Sequence, residues 1–132
     1  MYLSLTLIKD SVAAAGTALL LGAAAMSHQQ DPAAASAPRT IEVVAKRFAF
    51  EPSRIEVTEG ERIKLVVKSA DGVHGVEIKK FKVNKKVPRG GDPVTIEFVA
   101  NAAGEFPILC SEYCGDGHED MKGMLVVAAK SK

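Results

Sequence analysis

The chain has no tryptophan, its aromatic residues amount to 5%, and there are two cysteines among its 132 residues. Each scarcity excludes something. A platform that stacks single-stranded nucleic acid needs several aromatic side chains, so that role is not expected. Two cysteines allow at most one disulfide, too few for a miniprotein built on a disulfide framework. Seventeen Lys and Arg against sixteen Asp and Glu leave a formal charge of +1, without the basic excess of a nucleic-acid-binding domain. The length holds one ordinary domain and a short extra segment. A Rossmann or TIM-barrel enzyme with a second substrate domain does not fit.

The extra segment is N-terminal. Ser11 to Met26 reads SVAAAGTALLLGAAAM, an apolar run that spans about 24 Å as a helix, against roughly 30 Å of bilayer hydrocarbon. Its length and its Ala23-Ala24-Ala25 end suit a signal-peptide core with a small-residue cleavage site. Lys9 is followed at once by Asp10, a poor flank for a signal peptide, so a single anchoring helix extended into Ser27–Gln30 stands beside that reading. A buried Ala-rich helix is disfavoured because no charged face accompanies the run. Residues 1–28 are therefore read as signal peptide or single membrane anchor. Either one places the rest on the extracytoplasmic (periplasmic) side, anchored or secreted. The Pro/Ala/Ser-rich stretch 29–39 reads as a linker.

From Thr40 onward the pattern has period two. Ile41, Val43 and Ala45 alternate with Glu42, Val44 and Lys46, and Ile63, Leu65 and Val67 with Arg62, Lys64, Val66 and Lys68. The same habit marks Val94-Ile96-Phe98, then Phe106-Ile108-Cys110, and a last segment of about Gly123 to Ala129. Such alternation predicts half-buried strands. Turn signals separate them: Glu51-Pro52, Glu59-Gly60, Asp71-Gly72, Gly90-Gly91-Asp92-Pro93 and Ala103-Gly104. Residues 40–132 are thus expected to form one all-β sandwich or barrel.

The chemistry gathers in Cys110 to Met121, CSEYCGDGHEDM. Cys110, Cys114, His118 and Met121 recur at spacings of four, four and three, which would also line one face of a helix. Gly115 and Gly117 oppose that, each costing about 1 kcal/mol in a helix interior. A Cys110–Cys114 disulfide is the default for paired thiols in an exported protein. It leaves His118 and Met121 unexplained, and a short loop gains little from closure. Structural zinc could use Cys110, Cys114, His118 and a distant histidine such as His74, but it does not need a thioether at a fixed offset. Thiolate, imidazole and a weak axial Met are the ligands of electron-transfer copper. His74, between two strand candidates, is the residue that would complete such a set. Two thiolates, two imidazoles, a thioether and a carbonyl could hold two copper ions with the sulfurs bridging.

The segment Cys110-Ser111-Glu112-Tyr113-Cys114-Gly115-Asp116-Gly117-His118-Glu119-Asp120-Met121 resembles the binuclear CuA loop of cytochrome c oxidase subunit II. Phe48-Ala49-Phe50-Glu51-Pro52 and Val73-His74-Gly75 are similar to the same domain, especially that of the ba-type bacterial oxidases. The resemblance covers about Thr40 to Val127. It implies a cupredoxin-like Greek-key β-sandwich or barrel holding two copper ions. Cys110 and Cys114 would be bridging thiolates, and His74 and His118 would each bind one ion. Met121 and the backbone carbonyl of Glu112 would be the weak ligands, with Met124 nearby expected in the core. A shared unpaired electron spreads the change in bonding over both metals, so single-electron transfer meets a low reorganisation barrier. The domain would carry electrons and would not be catalytic alone. The implied role is the electron-accepting subunit of a haem-copper terminal oxidase, fed by cytochrome c or another small redox donor and partnered by oxidase subunit I. The alternative is a free-standing exported copper protein, either a soluble shuttle or a copper-delivery module. Unlike many members of the family, this chain has no Trp for taking electrons from cytochrome c.

Charge is unevenly placed. Lys79, Lys80, Lys82, Lys85, Lys86 and Arg89 form a run with no acid among them, while Glu112, Asp116, Glu119 and Asp120 cluster on the cysteine loop. Two solvated patches are the plain expectation. An acidic rim that steers a basic donor is the sharper one.

Overall fold

Apolar side chains on alternate positions can all be buried only if the strands pair into sheets with one shared inner face. The computed structural model describes residues 37–132, and there the alternation produces that arrangement. The proposed signal peptide or anchor, and most of the linker, lie outside the described residues. Nine strands follow in order: β1 (Arg39–Lys46), β2 (Ala49–Glu51), β3 (Arg54–Thr58), β4 (Arg62–Ser69), β5 (His74–Ile78), β6 (Val83–Val87), β7 (Val94–Val99), β8 (Gly104–Leu109) and β9 (Lys122–Ala128). One sheet has the order β2-β1-β4-β7 and the other β3-β9-β8-β5-β6. The architecture is all-β, as expected. Among the described residues the helical turns are two short 3-10 pieces, Lys79–Phe81 and His118–Asp120. No helix among them is long and apolar enough to cross a membrane.

Each turn signal sits between or at the ends of strands. Gly60, which joins β3 to β4, has φ +91, a conformation that L side chains rarely adopt. Long connections make two of the pairings parallel. β1 runs beside β4 with Ile41 opposite Leu65, and β3 beside β9 with Val57 opposite Val127. The remaining pairings are antiparallel, including β8 with β9, where Leu109 faces Lys122. That hairpin carries the cysteine loop.

The core lies between the sheets. Val43, Ala45, Ile63, Leu65, Val67 and Ile96 come from one sheet, and Ile55, Val76, Ile78, Ile108, Leu125 and Val127 from the other. Phe50 is buried from β2. Phe98 and Phe106, expected to face inward, are only partly buried. They meet Phe81 with ring centroids 5.2 and 5.1 Å away. Met124, expected in the core, is half-buried. Gly123, Leu125 and Val127 take the inner positions of β9, and strict period two turns Met124 to the other face.

The short strands β2, β3, β5 and β6 add to the longer segments that alternation predicted. Three to five residues each leave little period to read. In β6 the three middle residues Asn84, Lys85 and Lys86 are all exposed between buried Val83 and Val87.

Candidate metal centre

The cysteine loop joins two paired strands, so its ends must be close. The Cys110 amide donates to the Met121 carbonyl at 3.4 Å and shuts the base of the loop. Inside it, His118 N–H reaches Gly115 O at 3.0 Å, Asp120 N–H reaches Gly117 O at 3.1 Å and Met121 N–H reaches His118 O at 3.2 Å. These bonds wind residues 115–121 through the 3-10 turn instead of an α-helix. Gly115 has φ +132, which a residue with a Cβ would adopt only under strain. The helical-face reading of the 4-4-3 spacing therefore fails in the structure.

That winding turns four side chains toward one another. The sulfurs of Cys110 and Cys114 are 3.8 Å apart, well beyond the roughly 2.05 Å of a disulfide bond, and both thiols are free and buried. Cys114 Sγ is also 3.8 Å from His118 Nδ1 and 3.8 Å from Met121 Sδ. The Cys110 thiol donates to the Glu112 carbonyl at 3.1 Å.

His74 arrives from a distant part of the chain. Strand β5 pairs with β8 through Glu77 and Leu109, and that pairing brings its first residue to the loop. The Gly75 amide lies 3.5 Å from Cys110 Sγ. A Cβ at Gly75 would stand 2.8 Å from the Glu112 amide nitrogen and collide with Ser111, so glycine alone permits this approach. Ligand atoms of His74, Cys110 and Cys114 come within 4.8 Å of one another, and all three residues are buried.

The imidazole of His74 has no exposure, and its two nitrogens differ. Nε2 is 2.6 Å from Asp71 Oδ1, whereas Nδ1 is buried with no hydrogen-bond partner among the described residues. An unsatisfied buried polar atom costs about 1–3 kcal/mol, and a metal ion would satisfy this one. A carboxylate on the far nitrogen fixes the tautomer that leaves the other free to bind. Asp71 itself is held ionised. Burial alone would push its carboxyl up. Hydrogen bonds from the Arg47 amide, His74 and the Gly72 amide outweigh that and keep it below the ordinary carboxylate value.

The thiols show the opposite balance. Burial pushes the Cys114 thiol up to about 11, and the neighbouring Cys110 adds to the shift by hydrogen bond and charge. Two adjacent buried thiolates are unfavourable without a cation between them. A bound metal ion reverses that, because it holds a coordinating thiol deprotonated. Soft sulfur donors with imidazole suit copper. The donor set present here fits that ion.

Two features escaped sequence reasoning. Asp71, three residues before His74, was legible as a carboxylate–histidine pair only once His74 was placed. Arg47, at the corner between β1 and β2, had no signal at all, and Phe48 stood only in a motif of the resemblance, with no role at the site. The Arg47 guanidinium donates through Nε to the Cys114 carbonyl at 3.0 Å, and Phe48 packs against Gly115 and Gly117. On the outer side of the loop, Tyr113 is 72% exposed, and its ring centroid lies 5.8 Å from that of half-buried His118. The cationic run is exposed, on the first 3-10 turn, β6 and the residues after it. Lys86 Nζ meets Glu112 Oε2 at 4.0 Å, so the two charged patches touch.

Comparison with known proteins agrees with this architecture. The chain is 35% identical over 88 residues to "Cytochrome c oxidase subunit 2" of Thermus thermophilus. The match covers 67% of this chain, which spans only 64% of that relative's length. Among solved structures, the periplasmic domain of subunit II of cytochrome oxidase from Bradyrhizobium japonicum superposes with a TM-score of 0.64 at 21% identity. That match covers 71% of this chain and 86% of the other. A haem-copper terminal oxidase dimer matches with a TM-score of 0.61 at 25% identity, over 67% of this chain and 64% of the other. The family model described as "Cupredoxin-like domain" matches residues 16–127. With its two-sheet fold and its cysteine–histidine–methionine loop, the chain belongs to the cupredoxin-like family.

Proposed function

We propose that the domain holds a binuclear CuA centre and passes single electrons as the subunit II-like, electron-accepting part of a haem-copper terminal oxidase. Two buried, unbonded thiols 3.8 Å apart, beside the unpartnered Nδ1 of a fully buried histidine, are the observation that carries this reading. The Cys110 and Cys114 thiolates, the His74 and His118 imidazoles, the Met121 thioether and the Glu112 carbonyl would hold the centre, with the thiolates as bridges. Copper bound there supplies one-electron redox chemistry and no bond-making in a substrate.

The chain's own residues account for the rest. His74 opens β5, and Cys110 and Met121 flank the paired strands β8 and β9, so these three buried side chains are held at the ends of the sheet. Cys114 and His118 sit on a loop closed at its base. Half-buried His118 lies beside exposed Tyr113, which makes this side of the loop the face a donor approaches. Asp71 keeps His74 in the binding tautomer.

The named relatives support the wider assignment. A subunit 2 and a periplasmic domain of subunit II among them favour an extracytoplasmic location, cytochrome c or another small redox protein as donor, and an oxidase subunit I as partner. Residues 1–28 serve as signal peptide or single membrane anchor, residues 29–39 as linker.

Copper loading of the purified protein tests the reading. A purple product with hyperfine splitting from two equivalent copper nuclei is expected. A blue one-copper spectrum would remove Cys110 from the ligand set, and a colourless product would remove the redox role. Co-purification of an oxidase subunit I separates the oxidase reading from a free-standing shuttle.

A further inference from the structure

The two ligand-bearing loops are far apart in sequence, and one exposed residue touches both. Arg47 stands at the corner between β1 and β2. Its backbone N–H donates to Asp71 Oδ2 at 2.8 Å, while the other oxygen of that carboxylate faces His74 Nε2 at 2.6 Å. Its side chain runs over the same loop, where a Cβ at Gly72 would lie 3.3 Å from the guanidinium. It then donates through Nε to the Cys114 carbonyl at 3.0 Å. The next residue, Phe48, lies on Gly115 and Gly117. The corner therefore spans from the carboxylate behind one candidate ligand to the backbone of another.

We infer that Arg47 is a positioning residue of the metal centre, which clamps the Asp71–His74 turn to the Cys114 turn and so fixes the distance between the His74 imidazole and the thiolates. The inference rests on the copper reading above and extends it to a residue outside the ligand set. Its physical basis is the separation of the two arms. The backbone arm to Asp71 does not depend on the side chain at position 47, whereas the arm to Cys114 depends on it wholly. A guanidinium that bonds a carbonyl through one N–H and lies close to Gly72 is oriented as well as charged. Its loss frees the Cys114 carbonyl and leaves the His74 side intact.

Substitution at this position separates geometry from charge. Arg47→Met keeps an unbranched apolar stem and removes the donor. Arg47→Lys restores a donor and the charge. Arg54→Met removes the same charge from a pair with Glu56 and Glu105 elsewhere on the surface. In the copper-loaded protein, Arg47→Met should shift the hyperfine splitting and the visible bands. It should also speed copper loss to a chelator about tenfold, the lower end for a group that orients ligands. Arg47→Lys should recover much of both, and Arg54→Met should match the wild type. Wild-type spectra, reduction potential and copper loss in Arg47→Met overturn the inference while leaving the copper reading standing. An equal change in Arg54→Met also overturns it, since long-range charge would then suffice. A wild-type protein without the two-copper spectrum overturns the copper reading, and this inference with it.

Discussion

Asp71 Oδ1 lies 2.6 Å from His74 Nε2, on the side of the ring opposite the buried and unpartnered Nδ1. The pair divides the labour of one imidazole, with one nitrogen anchored to the protein and the other left to bind. Because the same carboxylate accepts the amides of Arg47 and Gly72, the anchor is itself rigid. Asp71→Asn keeps the shape and removes the charge that holds the tautomer. Copper affinity should fall by about 10–100-fold, measured by competition with a chelator of known affinity. An unchanged affinity would show that the ring is held by packing alone.

The cysteines should not be interchangeable with serine. Cys110→Ser and Cys114→Ser each remove one of the two sulfurs that bridge in the proposed centre, so neither variant should give the two-copper spectrum. Serine is close to cysteine in size, and circular dichroism checks independently that both variants stay folded. A two-copper spectrum in either variant would show that the sulfur replaced is not a bridge.

In the metal-free protein the Cys114 thiol gives a pH dependence of known sign. The Cys114 thiol titrates at about 11 in the fold, because burial and Cys110 raise it from 9.0. The folded state therefore binds this proton more tightly than the unfolded chain. Its contribution is fully present below about pH 9 and is lost as the pH rises toward 11. Urea midpoints of the metal-free protein should fall across that interval, and those of Cys114→Ser should fall less. Copper loading should abolish the difference, since the thiolates are then already deprotonated.

Gly75 is the position where the fold leaves the least room at the site. In Gly75→Ala the new methyl would meet the Ser111 and Glu112 amide nitrogens at 2.9 and 2.8 Å. Backbone cannot swing aside as a flexible side chain can. Overpacking of this kind costs about 1–3 kcal/mol, readable as a lower urea midpoint. The displaced Ser111-Glu112 segment should also weaken copper binding. A stable variant with normal copper affinity would mean that β5 and the loop are less tightly apposed.

Much of the fold was readable along the chain because its signals are local. Alternation in β1, β4 and β7 lasts six to eight residues, long enough to count. Turn signals such as Asp71-Gly72 and Gly90-Gly91-Asp92-Pro93 mark where it stops. Strands of three to five residues carry too short a period, so β2, β3, β5 and β6 emerged only with their partners. Met124 differs for another reason: β9 keeps period two over seven residues, and Gly123, Leu125 and Val127 hold the inner face one step out of phase with it.

For the site, the candidate donor set is legible along the chain. Cys110, Cys114, His118 and Met121 lie within twelve residues, between two segments whose alternation marks them as strands, so one loop carries all four. The scarcity of cysteine sharpened the point, because the only two thiols in the chain both lie in that loop. Tertiary structure decided what stands around them. It selected His74 through the pairing of β5 with β8, left its Nδ1 free by setting Asp71 on the other nitrogen, and closed Arg47 over a carbonyl 67 residues away. Those contacts depend on strand order and register, which bring together residues that no spacing along the chain relates.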